Sequence, residues 1–319
     1  MFVSMLDLPS TVDWCEQNYI LSEYVAEYWN TLTGLCLILS GCLYYKNNYS
    51  WIENSHYKVS FIKIFALLVF VGIGTMLFHS TLYYPFQLLD ELPMILLANE
   101  YLGLLISLKT SCESVNTEQY SRLHYVLKYS YRMVPIIILS YFIHPSMQVL
   151  TFHLTLKVSE AAVLFVLYKL SKSLNRIVYS KIYVTRDILK KQRIIENSKK
   201  MTSSTPLVEG NYGQGTIGIN TYSRFKKNNH LSNSVLIHIV QTKIKTYLDL
   251  RNQLNFVTNV GIYIYGSSIV IWCLENMFCR HLQPLQLHAI WHVLSSVGVY
   301  HLNLLMQLHV SIEKFIYSE

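Results

Sequence analysis

The sequence predicts an all-α polytopic membrane protein, a bundle of seven transmembrane helices, and three observations carry that prediction. Of its 319 residues 52% are hydrophobic and only 14% are charged, where a soluble domain carries about 25% charge. The apolar residues are also gathered into long blocks, at 26–45, 61–78, 86–108, 129–143, 147–170, 256–278 and 286–310. Finally, the cations fall on alternate connections. The connection from Lys169 to Arg251 holds 16 of the 26 Lys and Arg residues against Asp187, Glu196, Glu209 and Asp249, whereas those on the opposite side carry only Arg280.

Each block follows from the thickness of a bilayer. A helix needs roughly 20 apolar residues to cross about 30 Å of hydrocarbon, and six of the blocks reach or approach that length. The fourth is short and needs residues 123–129 as its first turns. The runs are too uniformly apolar for alternating barrel strands, and an open sheet would leave backbone groups unpaired in lipid. The positive-inside rule then places the N-terminus outside or in a lumen and the C-terminus in the cytosol. Residues 1–25 form an acidic lumenal arm without Lys or Arg, so no cleavable signal peptide is expected and the first helix acts as its own signal. Residues 26–172 hold spans one to five. Residues 173–252 are expected to be a basic, largely disordered cytosolic loop, because the Ser, Asn, Gly and Lys at its centre bury too little to offset chain entropy. The run KIYVTRDILKKQRIIENSKK before that centre can instead extend helix five or lie on an anionic membrane surface. Residues 253–319 hold spans six and seven and a short cytosolic tail.

Chemistry is concentrated at the lumenal boundary. In LHAIWHVL, His288 and His292 stand four residues apart, which puts both imidazoles on one helix face, one turn apart, a spacing that suits one tetrahedral Zn²⁺. Two histidines at a wet helix end with separate partners would look the same. In FHSTLYYPFQLLDELP, His79 closes span two and Asp90 opens span three. The Tyr83-Tyr84-Pro85 stretch breaks the helix, so the two can face each other across the turn. Three histidines and a carboxylate thus converge at one membrane depth, where an ionisable group is costly and defaults to a functional reading, with a packed polar pair as the alternative. Three protein ligands leave one position open for a water with a pKa near 7, as in catalytic zinc sites. Asp90 can act as general base or orient an imidazole. Thr75, one turn before His79, presents a hydroxyl that can stabilise an oxyanion or bond back to its own helix.

In the arm, Asp13, Glu16, Asn18 and Glu27 offer oxygen ligands of the kind Ca²⁺ takes six to eight of. A solvated acidic flank that sets topology is the alternative, since no EF-hand pattern is present. Cys15 and Cys279 both lie on the lumenal side, where disulfides persist. Cys36, Cys42 and Cys273 read as packing residues, and Cys112 as a free cytosolic thiol.

Taken together, DWCEQN (13–18), AEYWN (26–30), GIGTMLFHSTLYYPFQLLDELPM (72–94), ENMFC (275–279) and HAIWH (288–292) resemble the alkaline ceramidases, most closely their fungal branch. The resemblance runs through nearly all of the transmembrane part and does not cover about 190–243. It implies zinc on His79, His288 and His292, an acidic catalytic position at Asp90, and calcium on Asp13, the Trp14 carbonyl, Glu16, Asn18 and Glu27. It also implies a Cys15–Cys279 disulfide. Where many members have serine, this chain has Thr75, which keeps the hydroxyl and adds a methyl. The implied activity is hydrolysis of the amide of ceramide, including dihydro- and phytoceramide, to a sphingoid base and a fatty acid in the endoplasmic reticulum or Golgi membrane. The substrate would enter sideways from the lipid, with Trp291 lining that entry or anchoring the interface. No nucleic-acid partner is implied, because the net charge of +7 is a topology signal. Two other readings fit the same features: a seven-helix receptor or scaffold with structural metals, and a related hydrolase acting on another lipid.

Overall fold

The computed structural model describes residues 8–113, 133–202 and 233–317. Among them the chain is helical nearly throughout, with seven α-helices: α1 (Tyr28–Glu53), α2 (Lys58–Thr81), α3 (Tyr84–Glu113), α4 (Met133–Ile143), α5 (Pro145–Thr202), α6 (Asn233–Leu282) and α7 (Leu287–Tyr317). No strand forms among the described residues beyond one isolated bridge, Pro9 to Tyr83. Five helices, α2, α3, α5, α6 and α7, are long and apolar enough to cross a membrane, which makes the chain an all-α polytopic membrane protein. Helix α1 has the length, 26 residues, but is not among those five. The opening turns expected for the fourth span lie outside the described residues, which leaves α4 with 11 residues.

Of the stretch 173–252, expected to be largely disordered, residues 203–232 lie outside the described residues, and the chain on either side of them is helical. Helix α5 continues to Thr202 and α6 already begins at Asn233. Both extensions bury apolar residues, Val178 and Ile182 from α5 and Val240 and Tyr247 from α6, and Arg251 stacks over Tyr179 at 5.6 Å. The composition-based expectation averaged these positions with the polar centre. The described residues within Asn175–Gln253 form a compact unit of their own, and those before and after it form another.

That larger unit is built on α1, α2 and α3. On α2 the buried residues Phe61, Ile64, Leu68, Val71, Thr75 and Phe78 recur at alternating steps of three and four. That spacing is one stripe of a helix, and here it faces protein. On α1 the stripe Leu32, Leu35, Leu39 and Leu43 is exposed, as suits a lipid-facing surface in a fold whose surrounding solvent is hydrocarbon. Helices α3, α4 and α5 share a core of Ile95, Ile137, Phe152 and Leu156.

The chain reverses between α2 and α3 in two residues. Leu82 adopts a left-handed conformation (φ 55°) and its N–H closes on the Phe78 carbonyl at 2.7 Å. Tyr84 and Pro85 then open α3, where proline's missing N–H costs nothing. One residue makes the return especially tight. A Cβ on Gly74 would collide with the α3 backbone at Leu89 and Asp90. Gly74→Ala is therefore expected to force α2 and α3 apart next to Asp90, destabilising the protein by roughly 1–3 kcal/mol, the usual range for overpacking. Thermal unfolding in detergent measures it.

Candidate metal centre and active site

The arm is strapped across the end of α2. The Ser10 N–H donates to Leu82 O (2.9 Å), Tyr84 N–H to Leu8 O (2.9 Å), Ala26 N–H to Ser80 O (3.0 Å) and Glu27 N–H to His79 O (2.9 Å). These bonds fix the start of α1 beside the end of α2. The first turn of α1 has no cap from its own neighbourhood, and such N–H groups need partners. Glu16 supplies them from the arm: its carboxylate accepts from Trp29 N–H at 2.7 Å and Asn30 N–H at 2.9 Å.

At this end of the bundle His79, His288 and His292 come together. One ligand atom from each lies within 4.8 Å of the others, and the ring centroids are 4.6–5.1 Å apart. All three side chains are buried, at 3% exposure or less. Each ring has its Nδ1 engaged. His79 Nδ1 pairs with Glu27 Oε2, and His288 Nδ1 with Glu275 Oε2 at 2.9 Å. His292 Nδ1 meets Thr33 Oγ1 at 3.0 Å. When ionised, Glu27 and Glu275 can only accept, which places a proton on Nδ1 of His79 and His288. Thr33 donates its hydroxyl hydrogen to Trp29 O at 2.8 Å, so its oxygen accepts from His292 in the same sense. Every ring is thereby left with an unprotonated Nε2, and that of His79 is buried with no protein partner. Three imidazoles held through Nδ1, with Nε2 free, are the donor set and outer shell of a bound transition metal. The cluster could hold a metal ion. Among the described residues it is the group of this kind that the fold assembles.

Asp90 lies on the adjacent turn of α3. Thr75 Oγ1 stands 2.5 Å from Asp90 Oδ1 and 2.8 Å from Val71 O. Its single hydrogen thus has two acceptors, its own helix and the neighbouring carboxylate. Thr75, Asp90, Trp291 and His292 together line one end of a cavity whose other walls are almost wholly apolar, including Leu68, Met94, Leu156 and Leu302. Trp291 is thus part of that cavity wall.

The arm's acidic residues are close but differently engaged. Asn18 Nδ2 donates to Asp13 Oδ1 at 3.1 Å, and Glu27 Oε1 accepts from Trp14 N–H at 3.0 Å. Asn18 Oδ1 is buried with no partner, and Asp13 lies against Glu27. Burial pushes the carboxyls of Asp13 and Glu16 above their ordinary range, Asp13 further so by Glu27; for Glu16 burial outweighs the Trp29 and Asn30 N–H groups. A raised carboxylate pKa removes stability as pH rises through it, and a bound cation offsets that loss. The oxygens of Asp13 and Asn18 suit a hard cation, whereas both oxygens of Glu16 already serve α1 and both of Glu27 meet Trp14, Asn30 or His79. The Trp14 indole stacks on His288, with centroids 3.9 Å apart. Cys15 and Cys279 are bridged, with Cα atoms 5.5 Å apart. Cys36, Cys42 and Cys273 are free, and the Cys112 side chain lies outside the described residues.

Three contributors escaped the sequence reading. Glu275 could have been found, because it is a lone acid near one end of an apolar span, the same signal that singled out Asp90. Glu91 likewise is buried, accepting from Gln87 Nε2 at 2.7 Å and from Gln148 Nε2. Gln87 and Gln148 also bond Thr11 in the arm, at 2.6–2.8 Å. Thr33 carried no signal, since a threonine in a span most often bonds its own helix.

The fold and this centre define a class: a helical membrane protein with three buried histidines that could hold a metal ion, one of which, His292, lines an apolar cavity. The chain belongs to the ceramidase family, whose pattern it matches over residues 7–317. It is 50% identical over 90 residues to the alkaline ceramidase YPC1 of Saccharomyces cerevisiae, covering 27% of this chain and 26% of that protein. It is 41% identical over 88 residues to alkaline ceramidase 3 of Mus musculus, covering 27% and 31%. It is 37% identical over 98 residues to the putative alkaline ceramidase dcd3A of Dictyostelium discoideum, covering 27% and 34%. The chain thus spans about a quarter to a third of the length of these relatives.

Proposed function

We propose that this protein hydrolyses the amide bond of ceramide, dihydro- and phytoceramide included, within the membrane. The observation that carries the reading is the cluster of three buried imidazoles, one of which, His292, lines an apolar cavity together with Asp90. Hydrolysis forms a C–O bond from water to the carbonyl carbon, breaks the C–N bond, and moves a proton from water to the departing nitrogen. His79, His288 and His292 would hold a zinc ion, which would supply Lewis acidity and lower the pKa of water to about 7. Asp90 takes the proton from the attacking water and returns it to the amine. Thr75 aligns the Asp90 carboxylate or, on turning toward the carbonyl, donates to the developing oxyanion. The apolar walls solvate the two chains, which enter laterally from the lipid, and burial of the centre limits competing water.

In this reading seven spans cross an endoplasmic reticulum or Golgi membrane, with the arm in the lumen and the C-terminus in the cytosol. The arm holds calcium through Asp13, Trp14, Glu16, Asn18 and Glu27. Glu16→Ala leaves two N–H groups of α1 without an acceptor, which costs about 1–2 kcal/mol by the measure of helix caps. It is expected to lower the thermal midpoint and to shrink the further rise on adding Ca²⁺. That rise diminishes as pH falls, because protons compete for the same carboxylates. A calcium response unchanged in Glu16→Ala would remove Glu16 from the ligand set.

The activity is tested by incubating purified protein with ceramides, phytoceramides and glycerolipids, with and without chelator. Release of fatty acid from the ceramides alone, abolished by chelator and restored by zinc, is expected. Cleavage that ignores the chelator would refute the metal assignment. A metal-loaded protein that cleaves none of them would favour a receptor or scaffold.

A further inference from the structure

We infer that Glu275 is the positioning residue for His288, and that the disulfide next to it fastens both sides of that ring. The inference rests on the metal reading above. His288 sits in the opening turn of α7, yet its Nδ1 partner comes from the end of α6, where the Glu275 carboxylate accepts at 2.9 Å. Both side chains are almost fully buried, so water offers no substitute acceptor. The opposite contact is the Trp14 indole, stacked on the ring with 25° between the planes. Glu275 and Trp14 lie in distant parts of the sequence, but the Cys15–Cys279 bridge joins the residue after Trp14 to the residue one helical turn beyond Glu275. Cys15 Sγ also lies 3.8 Å from the Glu275 carbonyl oxygen. Helix α6 leaves regular geometry at Phe278, immediately before the bridge, so the disulfide anchors the point where that helix bends.

The chemistry assigns a specific task to each part. A carboxylate on Nδ1–H fixes one tautomer, turns Nε2 toward His79 and His292, and makes Nε2 a better donor to a metal. Trp14 sets the plane of the ring, which a single hydrogen bond leaves free to rotate about its axis. The bridge keeps the two holders in register. His79 and Glu27 are related in a comparable way across α2 and the start of α1, whereas the partners of His292 are neutral, the Thr33 hydroxyl and the Asn30 backbone. Glu275 therefore supplies one of two carboxylate contacts to the three rings.

The test is zinc affinity of the purified full-length protein, measured by competition with a chromophoric chelator. Loss of such a partner typically weakens metal binding by about 10–100-fold, and Glu275→Leu is expected to fall in that range. Glu275→Gln keeps an accepting oxygen but loses the charge that makes the bond strong, so its affinity lies between leucine and wild type. Asn276→Ala, a change at an exposed neighbour, leaves affinity unchanged. Non-reducing electrophoresis confirms an intact Cys15–Cys279 bridge in each variant. If Glu275→Leu fails to fold, Glu275→Gln decides alone. Wild-type affinity in Glu275→Gln, or in a folded Glu275→Leu, would overturn the inference. Absence of zinc binding in the wild type would instead overturn the metal reading itself.

Discussion

His292→Ala is expected to lose bound zinc and ceramide turnover together. Catalytic zinc sites use three protein ligands and keep the fourth position for water or substrate, so removal of one imidazole leaves two, too few to retain the ion against dialysis. The effect should reach the background rate, because an amide offers no fast route without a polarised carbonyl. The same outcome is expected for His79→Ala and His288→Ala, whose rings lie 5.1 Å apart in the same cluster. Metal analysis of the purified variants, beside a fatty-acid release assay, checks all three. A variant that loses zinc but keeps turnover would break the link between the cluster and the reaction.

Asp90→Asn separates chemistry from metal binding. The amide side chain is nearly isosteric and can still meet the Thr75 hydroxyl, which stands 2.5 Å from the carboxylate in the native protein. It cannot take a proton from water. The expected result is full zinc content, an unchanged fold and turnover lower by about 10²–10⁴, the range typical of a lost general base. A receptor or scaffold would tolerate the change without consequence. Wild-type turnover in Asp90→Asn would remove Asp90 from the proton path and leave it only a packing role. Thr75→Ser is a useful companion: it keeps the hydroxyl and removes the methyl, so a modest change would assign the contact to the oxygen alone.

Much of this centre was legible in the sequence because lipid makes polar residues conspicuous. His79, Asp90, His288 and His292 each interrupt an apolar block, and the i, i+4 spacing of the last two fixes a shared face whatever surrounds them. The reversal after His79 was legible as well, although its pivot is Leu82 rather than the Tyr83-Tyr84-Pro85 stretch. The outer contacts were not. Glu27 was read through its oxygens as a calcium ligand, and its contact with the His79 ring depends on the arm crossing the end of α2, which no local pattern encodes. Trp14 was assigned only a carbonyl, but its indole covers His288. Thr33 meets His292 across 259 residues of sequence, and only the packing of α1 against α7 brings them together. The extension of α5 was legible as one of two readings of its basic run, but the matching extension of α6 was not. Their apolar residues are sparse, at intervals that become a buried stripe only when two extended helices are read together.

The central claim is that one zinc ion, held by His79, His288 and His292, supports amide hydrolysis beside Asp90. It is tested most directly by stripping the purified protein with chelator and then titrating zinc back, while zinc content and fatty-acid release from ceramide are measured on the same samples. Turnover should rise in proportion to bound zinc and reach its plateau at one ion per chain. Full turnover in the stripped protein, or a plateau reached with zinc bound but no ceramide cleaved, would contradict it.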